Sequence, residues 1–331
     1  MRRDAGLTLI ELLVVVFLLG LLAQAAVLAS AGALEEAQQQ TTQQNLAQLE
    51  IALLGQPQRL DSLGRPNYGG FVADIGGLPV HRGAPASATP EEALAVALRE
   101  LWMQPGAPVV GQPPALDPDG LRSLAAFTLQ TSSLDPDVRL ACGWRGPYLR
   151  LAAGAAALRD GWGNSYRLFD RDGVASVLGG EIAAVLSYGA DAAAAGNGYA
   201  ADLSSVLEAT GTALSPSPIP ARHRGDVPVR VQTSASGGDV LVVRVYGPVA
   251  GTLAVMLQEV RSPSGTPFPP GLPVDLTLAG VTIGPRVLRA YQTTALPADT
   301  DSVPPGPRSA VLPITVEPFA IQPLQLTIQG S

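Results

Sequence analysis

One carboxylate stands inside a long apolar run. Glu11 lies five residues after Gly6 in Gly6-Leu7-Thr8-Leu9-Ile10-Glu11, apolar residues follow from Leu12 to Leu22, and an alanine-rich stretch carries on to Leu34. A carboxylate within hydrocarbon costs about 2.5–3.5 kcal/mol and is retained where it finds a partner. Other chemistry-bearing residues are sparse. The two histidines, His81 and His223, sit in Pro/Gly/Arg-rich segments, and Cys142 is the sole cysteine, so no intramolecular disulfide is possible. Cys142 reads as a small buried apolar residue. Asp135-Pro136-Asp137 and the pair Asp170 and Asp172 bring carboxylates together among turn residues, where aspartate accepts backbone hydrogen bonds. There is no glycine-rich phosphate loop, no G-x-S-x-G elbow and no His/Cys/Asp cluster at metal-ligand spacing. These residues argue against an enzyme.

The element that must position Glu11 is a helix. The apolar run is long enough for a bilayer, which takes about 20 residues. Beyond it, Leu34, Gln38, Thr42, Leu46, Leu49 and Leu53 recur at helical spacing, with Glu35, Gln39, Gln43 and Glu50 on the other face. Gly55 and Pro57 supply the stop. The pattern predicts a helix of about 45 residues within 7–55, about 65 Å long, its first half in the membrane and its second half against a globular domain. Arg2 and Arg3 precede the span and no basic residue follows until Arg59, which places the bulk of the chain outside the cytoplasm.

Beyond the helix the 331-residue chain has room for two domains. Thr89-Pro90-Glu91-Glu92 starts a helix with a threonine N-cap, proline at the first position and acids in the first turn. The proline-rich stretch 105–118 reads as a loop. Gly163-Asn164 suits a tight turn ahead of strands at 166–169 and 182–188, with Asp170 to Gly173 turning between them. The Pro/Ser stretch 214–226 reads as a linker and the domain boundary. Seven strands then follow at 227–232, 239–246, 251–260, 272–278, 286–291, 310–316 and 323–328, several of them alternating apolar and polar residues. Seven short strands fit a β-sandwich. The net charge of −7, with every basic residue an arginine, argues against a nucleic-acid binder.

The N-terminal residues resemble type IV pilins and type II secretion pseudopilins. The resemblance rests on Gly6, Glu11 at the fifth position after it and the unbroken apolar segment. It implies cleavage after Gly6 by a membrane-embedded prepilin peptidase and methylation of the new N-terminus at Leu7, where the family usually has Phe or Met. It also implies that Glu11 pairs with the first-residue amine of a neighbouring subunit and sets the axial register of packed helices. The same stretch also reads as a secretory signal peptide, with Arg2 and Arg3, the Leu12–Leu22 core and Ala23-Gln24-Ala25 as cleavage site. Glu11 beside that core, and helix-forming sequence running past Ala25, favour the pilin-like reading.

Asp160-Gly161-Trp162-Gly163-Asn164-Ser165-Tyr166 resembles the D-x-W-G-N-P-Y turn of major pseudopilins, with Ser165 in place of proline. That family carries a calcium loop after its last strand. Ser187-Tyr188-Gly189-Ala190-Asp191 matches the loop's S-L-G-A-D entry, Asp202-Leu203 its D-I exit, and Gly196 and Gly198 its glycines. The resemblance implies a calcium site of Asp191, Asp202 and Asn197 with backbone carbonyls, depleted by Ala200 at a commonly acidic position. Residues 281–291 resemble prealbumin-like or carboxypeptidase-regulatory-like sandwiches.

The expected fold is α+β: a long N-terminal transmembrane and amphipathic helix packed on a small antiparallel sheet, as in pilins, followed by an all-β sandwich. The expected segments are a leader (1–6), the helix (7–55), a pseudopilin-like domain (56–213), a linker (214–226) and an Ig-like or prealbumin-like sandwich (227–331). The expected function is a minor pseudopilin-like filament subunit in the inner membrane, because an appended sandwich would crowd lateral packing along a fibre. Its partners would be the peptidase, other pilin-like subunits and a ligand or secreted substrate of the sandwich. The alternative is a membrane-anchored binding or adhesion protein that enters no filament. A DNA-uptake pilin would need a basic patch, for which Arg222 and Arg224 are the candidates.

Overall fold

The computed structural model describes residues 9–60, 66–83, 89–105, 123–155, 157–210, 220–233, 240–261, 271–294, 302–318 and 323–328. Gly6, Leu7, nearly all of the proline-rich stretch and linker residues 214–219 lie outside the described residues.

Helix α1 runs Leu9–Leu54, 46 residues, and ends at Gly55, whose φ of 85° takes the left-handed conformation that glycine adopts without a Cβ penalty. Its window Leu9–Ala26 has mean hydropathy 2.5 and buries nothing in the rest of the chain. The distal half behaves differently. Thr42, Leu46, Leu49 and Leu53 are buried, while Leu34, expected on the same stripe, is 61 % exposed. The globular part meets the helix only from about Gln38 onward, so the stripe begins one turn later than its periodicity suggested.

After α1 come β1 (Gln56–Leu60) and β2 (Pro66–Asn67), paired antiparallel, then the short α2 (Phe71–Ile75). Helix α3 (Pro90–Val96) starts with the expected threonine N-cap, which Glu92 completes into a capping box with Thr89. Strands β3 (Thr128–Thr131) and β4 (Arg139–Cys142) form a hairpin. Strands β5 (Arg167–Phe169), β6 (Ala184–Ser187) and β7 (Leu203–Val206) make an antiparallel sheet in that order. Leu46, Leu49 and Leu53 of α1 share one apolar cluster with Tyr166, Leu168, Ile182, Val185 and Leu207 from this sheet and its flanks.

All seven strands expected in the last third are present: β8 (Arg224–Thr233), β9 (Val240–Val249), β10 (Thr252–Arg261), β11 (Pro273–Thr282), β12 (Gly284–Thr293), β13 (Leu312–Val316) and β14 (Leu324–Ile328). They form a four-stranded sheet, β10-β9-β12-β13, and a three-stranded sheet, β11-β8-β14, in which β14 runs parallel to β8. Inward residues of both sheets, among them Val229, Val231, Val243, Val245, Leu278, Leu288 and Leu326, make one apolar cluster. Lettered A to G, the sheets are C-B-E-F and D-A-G, whereas an immunoglobulin constant domain divides its strands A-B-E-D and C-F-G.

Strands β9 and β12 are buried along almost their whole length, on both faces. One face looks into the apolar cluster; the other is covered by α2 and the β3–β4 hairpin. The contact has a pattern of backbone approach: Gly251 donates its N–H to the Ile75 carbonyl at 3.0 Å, and an added Cβ on Gly76 would lie 1.6 Å from the Pro248 carbonyl oxygen.

Candidate functional site

Glu11 lies in the first turn of α1 and is the one charged residue of the Leu9–Ala26 window. Around it Leu9, Ile10, Leu12, Leu13 and Phe17 are all more than half exposed. A bare apolar surface of this extent on a soluble chain marks a membrane or protein contact.

Fixing this helix to the rest of the protein falls to the Asp160–Tyr166 turn. The Asp160 carboxylate accepts from the Trp162 and Asn164 amides at 3.0 and 2.8 Å and from the Ser187 hydroxyl at 2.7 Å. Asn164 donates its side-chain amide to the Gly189 carbonyl at 3.1 Å. The turn thus ties itself to β6 and to the loop beyond. It also docks on α1: the Gly161 N–H donates to Thr42 Oγ1 at 2.9 Å, and a Cβ at Gly161 would lie 2.0 Å from the Gln38 carbonyl oxygen. Only glycine lets the turn approach the helix so closely. Tyr166 is buried beside it, as expected of an aromatic packing on the flank of the turn. The departure at Ser165 has a physical reason. Ser165 donates its N–H to Glu91 Oε1 and its hydroxyl to the Glu91 carbonyl, both at 2.8 Å. Proline, with no N–H, could make neither bond.

The three candidate calcium ligands lie on the loop between β6 and β7, and each carboxylate is engaged with the loop itself. Asp191 Oδ1 accepts the Ala193 amide and Asp202 Oδ2 accepts the Ala195 amide, both at 3.1 Å. Asn197 precedes the short turn Gly198–Ala200 and makes no side-chain cap bond. Among the described residues no group of three or more His, Cys, Asp or Glu side chains is placed to hold a metal. Calcium takes six to eight oxygens. Two carboxylates already bonded to amides, with Ala200 between them, fit it poorly.

The carboxylate pairs divide. Asp170 behaves as a turn aspartate, accepting from the Asp172 and Val174 amides at 2.9 Å. Asp135 does not fit the expectation of a local turn acceptor alone. It is fully buried and receives two bonds from Arg289 Nη1, at 2.7 and 2.8 Å, and one from the Tyr291 hydroxyl at 2.6 Å. Arg289 and Tyr291 on one strand were the available sequence signal: charged and hydroxylated residues two apart on a face that turns out not to see water.

The histidines serve structure. His81 Nδ1 lies 2.9 Å from the Ser176 carbonyl oxygen. His223 is fully buried at the junction of the two halves, its Nε2 3.8 Å from Glu208. Burial, with the neighbouring Arg224 charge, pushes its pKa down from 6.5 to about 4. A histidine kept neutral in the folded chain favours folding fully above pH 6.5, and that contribution is lost as pH falls from 6.5 through about 4. The loss amounts to about 3 kcal/mol. Asp74, whose carboxyl is pushed up to about 6 chiefly by burial, acts in the opposite sense over the same range. Urea unfolding at pH 7 and pH 4 is therefore expected to show the wild type losing about 3 kcal/mol relative to His223→Gln.

A cleft of about 490 Å³ opens between the last turns of α1 and the C-terminal sheets. Arg222 pairs with Glu50 at its rim.

A family model for the prokaryotic N-terminal methylation motif matches residues 1–27. No curated protein and no solved structure matches the chain. The motif indicates a precursor of the type IV pilin-like or pseudopilin type, and among the described residues one helix, over Leu9–Ala26, is long and apolar enough to anchor it in a membrane. The motif implies processing by prepilin peptidase and assembly with other pilin-like subunits.

Proposed function

We propose that the chain is a minor pseudopilin-like subunit of a type II secretion or type IV pilus-like filament, with its C-terminal sheets as a sandwich that serves as a binding or tip module. The carrying observation is one helix with two fates. Leu9–Ala26 is bare and holds Glu11, while Thr42, Leu46, Leu49 and Leu53 are packed on the chain's own sheet. A helix with that division of labour supplies a shared core to an assembly and keeps its globular part outside the cytoplasm. The role is structural rather than enzymatic: Asp135, Asp160 and Asp170 each spend their oxygens on the fold. No nucleic-acid partner is proposed, since Arg222 is taken up by Glu50. Calcium is not part of this reading, and calorimetry on the purified chain with millimolar calcium is expected to show no heat; a saturable heat would restore the loop to the list of sites.

The sandwich keeps one broad face for a partner. The outer face of the β11-β8-β14 sheet presents Gln232, Thr277, Gln325 and Thr327 to solvent, with Arg230 and Asp275 paired among them at 2.7 Å. The expected result that tests the whole reading is the N-terminal mass of the protein from its native membrane. It should begin at methylated Leu7. A start at Ala26 would make the segment a signal peptide and end the filament reading, and an intact Met1 would leave the anchored binding protein as the better account.

A further inference from the structure

The outer face of the four-stranded sheet carries a built seat for the helix-bearing half of the chain. At its centre is Asp135, at the tip of the β3–β4 hairpin and fully buried. Arg289 Nη1 binds both of its oxygens, and Arg289 Nη2 reaches on to Asp137 at 3.0 Å. The Tyr291 hydroxyl donates to Asp135 and lies 2.6 Å from that of Tyr246. Arg308 closes the rim, 3.3 Å from Asp137. Beside this pair Val138 and Cys142 from the hairpin and Tyr246, Leu253 and Val287 from the sheet form one buried apolar cluster. Two further contacts fix the hairpin and α2 in register with the sheet. The Gln130 side-chain amide donates to the Gly251 carbonyl at 2.9 Å and accepts the Leu253 amide at 2.8 Å. Arg286, fully buried, donates to the Ala73 carbonyl at 2.9 Å.

We infer that this seat, and not the covalent linker, holds the two halves together, so that the C-terminal sheets are a rigid extension of the helix-bearing domain. A buried carboxylate whose two oxygens share one guanidinium nitrogen is closely held, and withdrawing either partner leaves the other charge poorly compensated out of water. A buried charged centre packed beside apolar side chains from both halves fits a strong association. The inference holds whether or not the chain enters a filament. If it does, the seat transmits load and fixes the direction in which the sandwich points.

The test cuts the linker. A protease site placed within residues 214–219 is cleaved in the full chain, in detergent, without denaturant. The two fragments are expected to stay together through size exclusion at micromolar concentration. Asp135→Asn, which leaves the buried Arg289 with only the half-exposed Asp137 as counter-charge, should weaken the complex by about 30-fold or more. Asp135→Asn with Arg289→Gln removes both charges and keeps hydrogen-bonding groups, and should recover most of that loss. Arg308→Gln, at a half-exposed arginine 3.3 Å from Asp137 and only 3.7 Å from Asp135, should change it by no more than about threefold. If Asp135→Asn fails to accumulate folded, Tyr291→Phe reads the same seat through the lost bonds to Asp135 and Tyr246, with a loss of about fivefold or more. Wild-type fragments that part on cleavage, or Asp135 and Tyr291 variants that hold as tightly as the wild type, would overturn the inference.

Discussion

Glu11→Ala is expected to leave the chain inserted in the membrane and absent from filaments. Glu11 is the one charge in an 18-residue window of mean hydropathy 2.5. Removing it relieves a cost of about 2.5–3.5 kcal/mol, so insertion should be as good or better. Assembly is a different matter. Helices packed side by side by apolar contact alone have little axial preference, because one leucine serves as well as another one turn along. A single buried carboxylate paired with a neighbour's amine selects one axial position, as a lone polar residue selects the register of a coiled coil. Membrane fractionation, together with recovery of sheared filaments from cells carrying the variant, separates the two effects. Normal filaments containing Glu11→Ala would sink the register role of Glu11, while a wild-type chain absent from sheared filaments would sink the filament reading and favour an anchored protein, for which the carboxylate has no use.

Gly76→Ala is expected to unfold the protein or come close to it. Gly76 ends α2 with φ at 87° and donates its N–H to the Val72 carbonyl. In that conformation any L residue is strained. The larger cost is steric, since the new Cβ would lie 1.6 Å from the Pro248 carbonyl oxygen. Both partners are backbone, and Gly251 bonded to Ile75 and Arg286 bonded to Ala73 hold the two chains on either side. Neither can move without opening the seat between the halves. The expected loss is about 4 kcal/mol or more, read as a fall in melting temperature of about 10 °C or more. Gly77→Ala is the control: a Cβ there meets nothing within 4 Å, and the change should be close to neutral. Matching melts for the two variants would show that α2 does not sit against the sheet as described.

Much of this architecture was legible in local sequence. The N-cap at Thr89, the stop at Gly55 and the alternation of Val227, Val229 and Val231 each report a preference that neighbouring residues satisfy among themselves. The Asp160 turn was legible as a turn. Its purpose was not, because Thr42 and Gln38 are more than a hundred residues away in the chain. Ser165 was visible only as a departure from a pattern; its partner, Glu91, lies on another element.

The sequence by itself determined the long helix, the place of Glu11 in it and the seven C-terminal strands, since apolar periodicity and turn chemistry act over a few residues at a time. Tertiary structure decided how the strands sort into sheets and that the central strands are covered on both faces. It also decided that Asp135, which reads locally as a turn residue, is a buried counter-ion. Those outcomes depend on which distant surfaces exclude water from one another, and desolvation gives Asp135 its role only once Arg289 and Tyr291 have been brought against it.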